Sequence, residues 1–166
     1  MTVLFVVLGM RFFRRDVLAH RPIVRAGIRF GVVSVNLSFA VGVLMSVTKG
    51  STIGDDGDVL IAHALSIHGI QTIPAVAVLT SSASGAQTVH AAGTGWLVMC
   101  VATLCHALLA RHPFEWSLLN AVAVAGLALW VASAATTSLR WLRTRTAQPR
   151  MVPARGHTAR RRGVGR

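Results

Sequence analysis

Charged positions along this chain fall in clusters, and the stretches between the clusters carry none. Between Arg29 and Lys49 lie 19 uncharged residues, between Asp58 and Arg111 lie 52, and between Glu115 and Arg140 lie 24. An ionised side chain at bilayer depth is expensive, so uncharged runs mark candidate spans and charge clusters mark water. Crossing about 30 Å of hydrocarbon takes about 20 residues of helix, so the first and third runs each predict one helix. The middle run is too long for one crossing. Its centre, from Ser81 through Ser84, Gly85 and His90 to Gly93 and Gly95, is rich in small polar residues and glycine, which reads as a loop between two helices. The predicted spans are about 28–48, 59–80, 95–110 and 117–139.

Residues 1–10 are apolar but make only about 15 Å of helix, too little to cross alone. Arg11, Arg14 and Arg15 follow this stretch, the reverse of a secretory signal's order. Three readings stay open: an interfacial half-helix, a span completed by neighbouring residues, or the remnant of a longer span.

Composition supports the same class. Of 166 residues, 53% are hydrophobic and only 13% charged, whereas a soluble domain carries about a quarter charged residues. The predicted fold is all-α: an integral membrane bundle of four transmembrane helices with a short apolar N-terminal segment. Residues 1–27 form that segment and a basic stretch, 28–139 the bundle, and 140–166 a basic tail expected to be disordered.

The chain carries 17 Lys+Arg against 5 Asp+Glu. Six arginines fall in 11–29 and nine from Arg140 onward, whereas 49–58 and 111–116 hold one basic residue each. The positive-inside rule places both rich segments in the cytoplasm and the Asp55, Asp56, Asp58 loop outside. The tail, with its Arg160, Arg161, Arg162 cluster, is read as an anchor on anionic phospholipid headgroups rather than a nucleic-acid-binding element, because only Trp141 interleaves as an aromatic. Trp96, Trp116, Trp130 and Trp141 are expected mostly near span ends.

Candidate chemistry rests on intramembrane histidines. His63 and His68 lie on the second predicted span with Gln71, and His106 on the third. His63 sits five residues inward from Asp58 and His106 five inward from Arg111, so both should lie about 7–8 Å deep, able to meet across the helix pair, with His68 about 15 Å deep. The reading favoured here is a membrane protein of unknown activity in which these histidines and Gln71 form a buried polar site near the outer leaflet; the alternatives are ligating a haem or divalent metal, or passing protons. The structural alternative is hydrogen bonding that holds helices together. Asp58 is a candidate to orient His63, and Asn36, with Ser34 and Ser38, gives the first span a polar face.

Cys100 and Cys105, five apart, match no haem-attachment, redox or zinc spacing and read as packing residues. The Asp55–Asp58 loop lacks the closing Glu of an EF-hand and reads as a solvated turn. Pro74 is expected to kink the His-bearing helix. Hydroxyls and carboxylates stand in no catalytic motif, so the reading leans away from an enzyme. A small transporter or proton-relay subunit, assembled as a homo-oligomer, is a further alternative.

The stretch Asp58-x3-Ala62-His63-x4-His68-x2-Gln71, preceded by Arg21, Pro22, Arg25 and Ala26, resembles an uncharacterised group of bacterial inner-membrane proteins with a Gly-Asp-x-Arg-x-(Ala/Pro)-His-Phe-x-Gly-Leu-His-Ala-Leu-Gln signature. The likeness covers about residues 21–113. It departs at Leu60, where the group has arginine, and at Ala64, where it has phenylalanine. It implies a multi-pass protein of the bacterial cytoplasmic membrane sharing the His63/His68/Gln71 constellation, and it implies no activity.

Overall fold

A computed structural model describes residues 2–14, 17–80 and 85–146. The remainder of the tail, with its expected disorder and the Arg160–Arg162 cluster, lies outside the described residues. Among the described residues five helices follow in order: α1 (Thr2–Phe13), α2 (Pro22–Thr48), α3 (Val59–Leu79), α4 (Gly85–Leu108) and α5 (Leu118–Thr146). Between α2 and α3 a small antiparallel hairpin pairs β1 (Thr52–Ile53) with β2 (Gly57–Asp58). Helices α2 to α5 are each long and apolar enough to cross a membrane. The protein is an all-α membrane bundle with four such helices.

Local chemistry sets several helix ends. Pro22 opens α2 at a position where its missing N–H leaves nothing unsatisfied. Lys49 closes it in the left-handed conformation (φ 56°), its N–H bonded to the Met45 carbonyl. At the start of α3, Asp58 Oδ1 accepts the Leu60 N–H at 2.8 Å. We expect Asp58→Ala to lower thermal stability by about 1 kcal/mol, the usual cost of a lost N-cap; equal melting of variant and parent would remove the cap from the account.

Three boundaries differ from the expected ones, and each difference has a physical cause. Helix α2 starts six residues before 28 because Arg29 is not a marker of open water. Its Nε and Nη2 donate to the carbonyls of Phe12 and Phe13, both at 2.9 Å, capping the C-terminus of α1, and its guanidinium lies 5.5 Å from the Phe13 ring centroid. Gly9 packs on Val32, and Asn36 lies beside them, so α1 runs antiparallel to α2 as a short helix laid against it. Helix α4 begins at Gly85, ten residues before 95, because the small residues read as a loop form a packing face instead. Helix α5 continues to Thr146, carrying Arg140, Arg143 and Arg145 out of the apolar zone on an unbroken helix.

The bundle is held by small residues more than by large ones, as expected where lipid removes the hydrophobic drive between helices. Gly27, Gly31, Ser34 and Ser38 make a buried face on α2 at three- and four-residue spacing, and α3 lies along it with Gly69, Ile73 and Ala77 buried. Helices α4 and α5 meet at Gly95 and Gly126, where a Cβ on Gly126 would stand 2.6 Å from the Gly95 carbonyl oxygen. The central core gathers Ile73, Trp96, Met99, Cys100 and Ala123. Large apolar side chains such as Val78, Val124 and Leu139 face outward. Trp96 and Trp130 sit mid-helix rather than near span ends, packed edge to face with centroids 5.1 Å apart. Trp116 and Trp141 do lie toward the ends, the latter beneath the Arg145 guanidinium at 4.2 Å.

Candidate functional site

The predicted trio of histidines is dispersed to three different surroundings. His63 lies between α2 and α3. Its Nδ1 is 2.9 Å from the Ser38 carbonyl oxygen, which can only accept, so Nδ1 carries the proton; Ser38 Oγ in turn donates to the His63 carbonyl at 2.9 Å. One turn along α2, Ser34 Oγ donates to the Ser66 carbonyl at 2.7 Å. These pairs form a polar seam that stops at Gly31 and Ile70, where the helices touch without polar side chains.

His106, 4% exposed, pins the α4–α5 turn. Its Nε2 is 2.9 Å from the His112 carbonyl oxygen and so donates, which leaves Nδ1 to accept from Ser117 Oγ at 2.9 Å. Ser117 Oγ accepts the Asn120 N–H at 3.1 Å and thereby caps α5. The Asn120 side chain reaches back to the Glu115 carbonyl at 3.1 Å. The His106 imidazole thus ties the end of α4, the turn and the first turn of α5 together. It does not meet His63.

The expected buried His/Gln site does not form: His68 and Gln71 are exposed on the outward side of α3, because that face of the helix meets none of its neighbours, with His68 Nδ1 3.3 Å from Gln71 Oε1. Asp58 caps α3 in place of the role proposed for it toward His63. Asn36 bonds the carbonyl of Val32 on its own helix at 2.8 Å. Cys100 is buried, Cys105 half-buried, and both are free thiols. Among the described residues no three His, Cys, Asp or Glu side chains are grouped so that they can hold a metal ion. A haem or metal held by His63, His68 and His106 does not fit this geometry: His106 has both nitrogens engaged, His63 is turned into the α2 interface, and His68 points away from both.

The feature that sequence reasoning missed is a groove. Helix α5 packs closely on α4 and only lightly on α3, and Ala121 and Ala123 on α5 are too small to fill the gap. The result is a cavity of about 680 Å³ between α3 and α5 with α4 as its floor. Leu65, Trp96, Met99 and Leu127 line it toward mid-bundle, and Asp58, Arg111 and Asn120 stand at its mouth. Phe114 and Trp116 overhang the mouth, 82% and 90% exposed. Arg111 is 3.3 Å from Glu115, an exposed pair that contributes little to stability. In the sequence, the only trace of the groove is the pair of aromatics in the α4–α5 turn followed by small residues on α5.

Compared with protein-family models, with curated proteins and with solved structures, the chain finds no match.

Proposed function

We propose that this is a multi-pass protein of a bacterial cytoplasmic membrane that binds an amphipathic, lipid-like molecule in the α3–α5 groove, and that it works by binding rather than by catalysis. The observation that carries this reading is the polarity of the groove: charged and amide groups at the mouth, apolar and aromatic walls along its depth. An apolar pocket of several hundred Å³ with a few polar groups at one end suits a ligand with a long apolar body and one polar head. Asp58 and Arg111 offer opposite charges to such a head, and Trp96, Met99 and Leu127 offer a surface to the chain.

Orientation follows from the arginines. Arg21, Arg25, Arg140 and Arg143 share one end of the bundle, and the acidic hairpin occupies the other. With the arginine end in the cytoplasm, the groove opens in the outer leaflet. Arg140, Arg143 and Arg145 then rest among anionic headgroups, each contributing about 1 kcal/mol.

The test is photolabelling in vesicles doped with a phospholipid bearing a diazirine on its acyl chain, followed by peptide mapping. Leu65, Met99 and Leu127 should be labelled. Ala123→Phe, which fills the groove, should reduce that labelling about tenfold, equivalent to about 1.4 kcal/mol of binding, while labelling of the outward Val131 and Leu139 stays unchanged. Undiminished labelling of Met99 in a folded Ala123→Phe variant would overturn the reading.

A further inference from the structure

His68 and Gln71 occupy an unusual place. They are the tenth and thirteenth residues of the 21-residue α3, so both sit near the middle of the hydrocarbon, and both are exposed. Their mutual contact satisfies His68 Nδ1 and Gln71 Oε1. It leaves the imidazole Nε2 and the Gln71 amide N–H groups with no partner among the described residues. In lipid there is no water to take that place, and an unmet polar group is costly. Polar side chains at this depth normally face protein or a water-filled cavity.

Among the described residues nothing supplies the cover. Helix α3 turns Ala62, Ser66, Gly69 and Ile73 inward against its neighbours, and α1 lies against α2.

We propose that the face of α3 bearing His68 and Gln71 is the contact between two copies of this chain, with α3 packed on α3 of the second copy about a two-fold axis along the membrane normal. A two-fold contact brings the same residues together, so each group must complement itself. An amide both donates and accepts, and so does a neutral imidazole; Gln71 can bond Gln71 or His68 of the other copy. Ala64 and Ala75, also exposed, lie on the same face one turn to either side at four-residue spacing. They are small enough to let two helix backbones approach within hydrogen-bonding reach. This surface is distinct from the lipid-like groove, so the contact does not depend on the groove's ligand.

Ala75→Cys in a background with Cys100→Ala and Cys105→Ala, oxidised in native membranes, should give a disulfide-linked homodimer, and Val131→Cys on α5 should not. Adding His68→Leu and Gln71→Leu should lower the cross-linking yield about tenfold, the effect expected of two interhelical hydrogen bonds. Both substitutions are on an exposed face, so the monomer should keep its melting temperature, which is measured alongside. Equal yields from Ala75→Cys and Val131→Cys, a yield indifferent to the leucine substitutions, or a cross-link to a different polypeptide would each overturn the contact between copies.

Discussion

Replacing Gly126 by valine is expected to unseat α5 from α4 and to cost about 3 kcal/mol or more of stability, beyond the usual range for overpacking. A Cβ at Gly126 would lie 2.6 Å from the Gly95 carbonyl oxygen and 2.9 Å from the Met99 nitrogen. A Cβ at Gly95 would lie 2.7 Å from the Gly126 carbonyl oxygen. Every one of these neighbours is backbone, so no rotamer change can relieve the clash, and the helices must separate. Separation would remove the edge-to-face stack of Trp96 on Trp130 and the burial of Ala123 and Met99. Gly50 is the matched control, because nothing lies within 4 Å of its Cβ direction, and Gly50→Ala should melt with the parent. Thermal unfolding in mild detergent reads both. A Gly126→Val protein that melts within a degree or two of Gly50→Ala would mean that the α4–α5 crossing is looser than this packing implies.

The same glycines explain why the sequence was readable in one respect and misleading in another. Charge spacing located the three uncharged runs that hold the four spans, since the energy that excludes ionised groups from lipid does not depend on which helix touches which. The start of α3 was legible almost to the residue because Asp58 is both the last charge and a strong N-cap. The start of α4 was not. Gly93 and Gly95 carry the local signature of a turn, and only the partners across the interface, Phe30 for one and Gly126 for the other, reveal them as contact residues. Arg29 misled for a related reason: its charge was read as solvent, whereas the carbonyls that consume it belong to a helix sixteen residues upstream. Among the site residues, depth along the spans lets His63 meet His106, yet the structure turns His63 to Ser38 on α2 and His106 to Ser117 and the His112 carbonyl. The groove was illegible because it is made of what is missing, the volume that Ala121 and Ala123 do not occupy. No periodicity records an absence of that kind.

His106 offers the sharpest separation between a ligand-holding histidine and one that holds the fold. His106→Ala should lower stability by about 2–4 kcal/mol, combining the volume lost from a buried position with an abandoned carbonyl at His112 and an abandoned hydroxyl at Ser117. Ser117→Ala should cost about 1 kcal/mol as a lost cap on α5. Because the Ser117 hydroxyl both donates to His106 Nδ1 and accepts the Asn120 N–H, the two residues form one chain of bonds and their losses should not add. The double variant should be more stable than the sum predicts by about 1 kcal/mol, within the range of coupled neighbours. Thermal or denaturant unfolding of the four proteins measures the cycle. Coupling of this size requires that Ser117 depend on an imidazole fixed in one tautomer, donating at Nε2 and accepting at Nδ1, which a histidine committed to a metal or haem could not supply. Strict additivity would detach His106 from the turn and return it to the pool of available ligands.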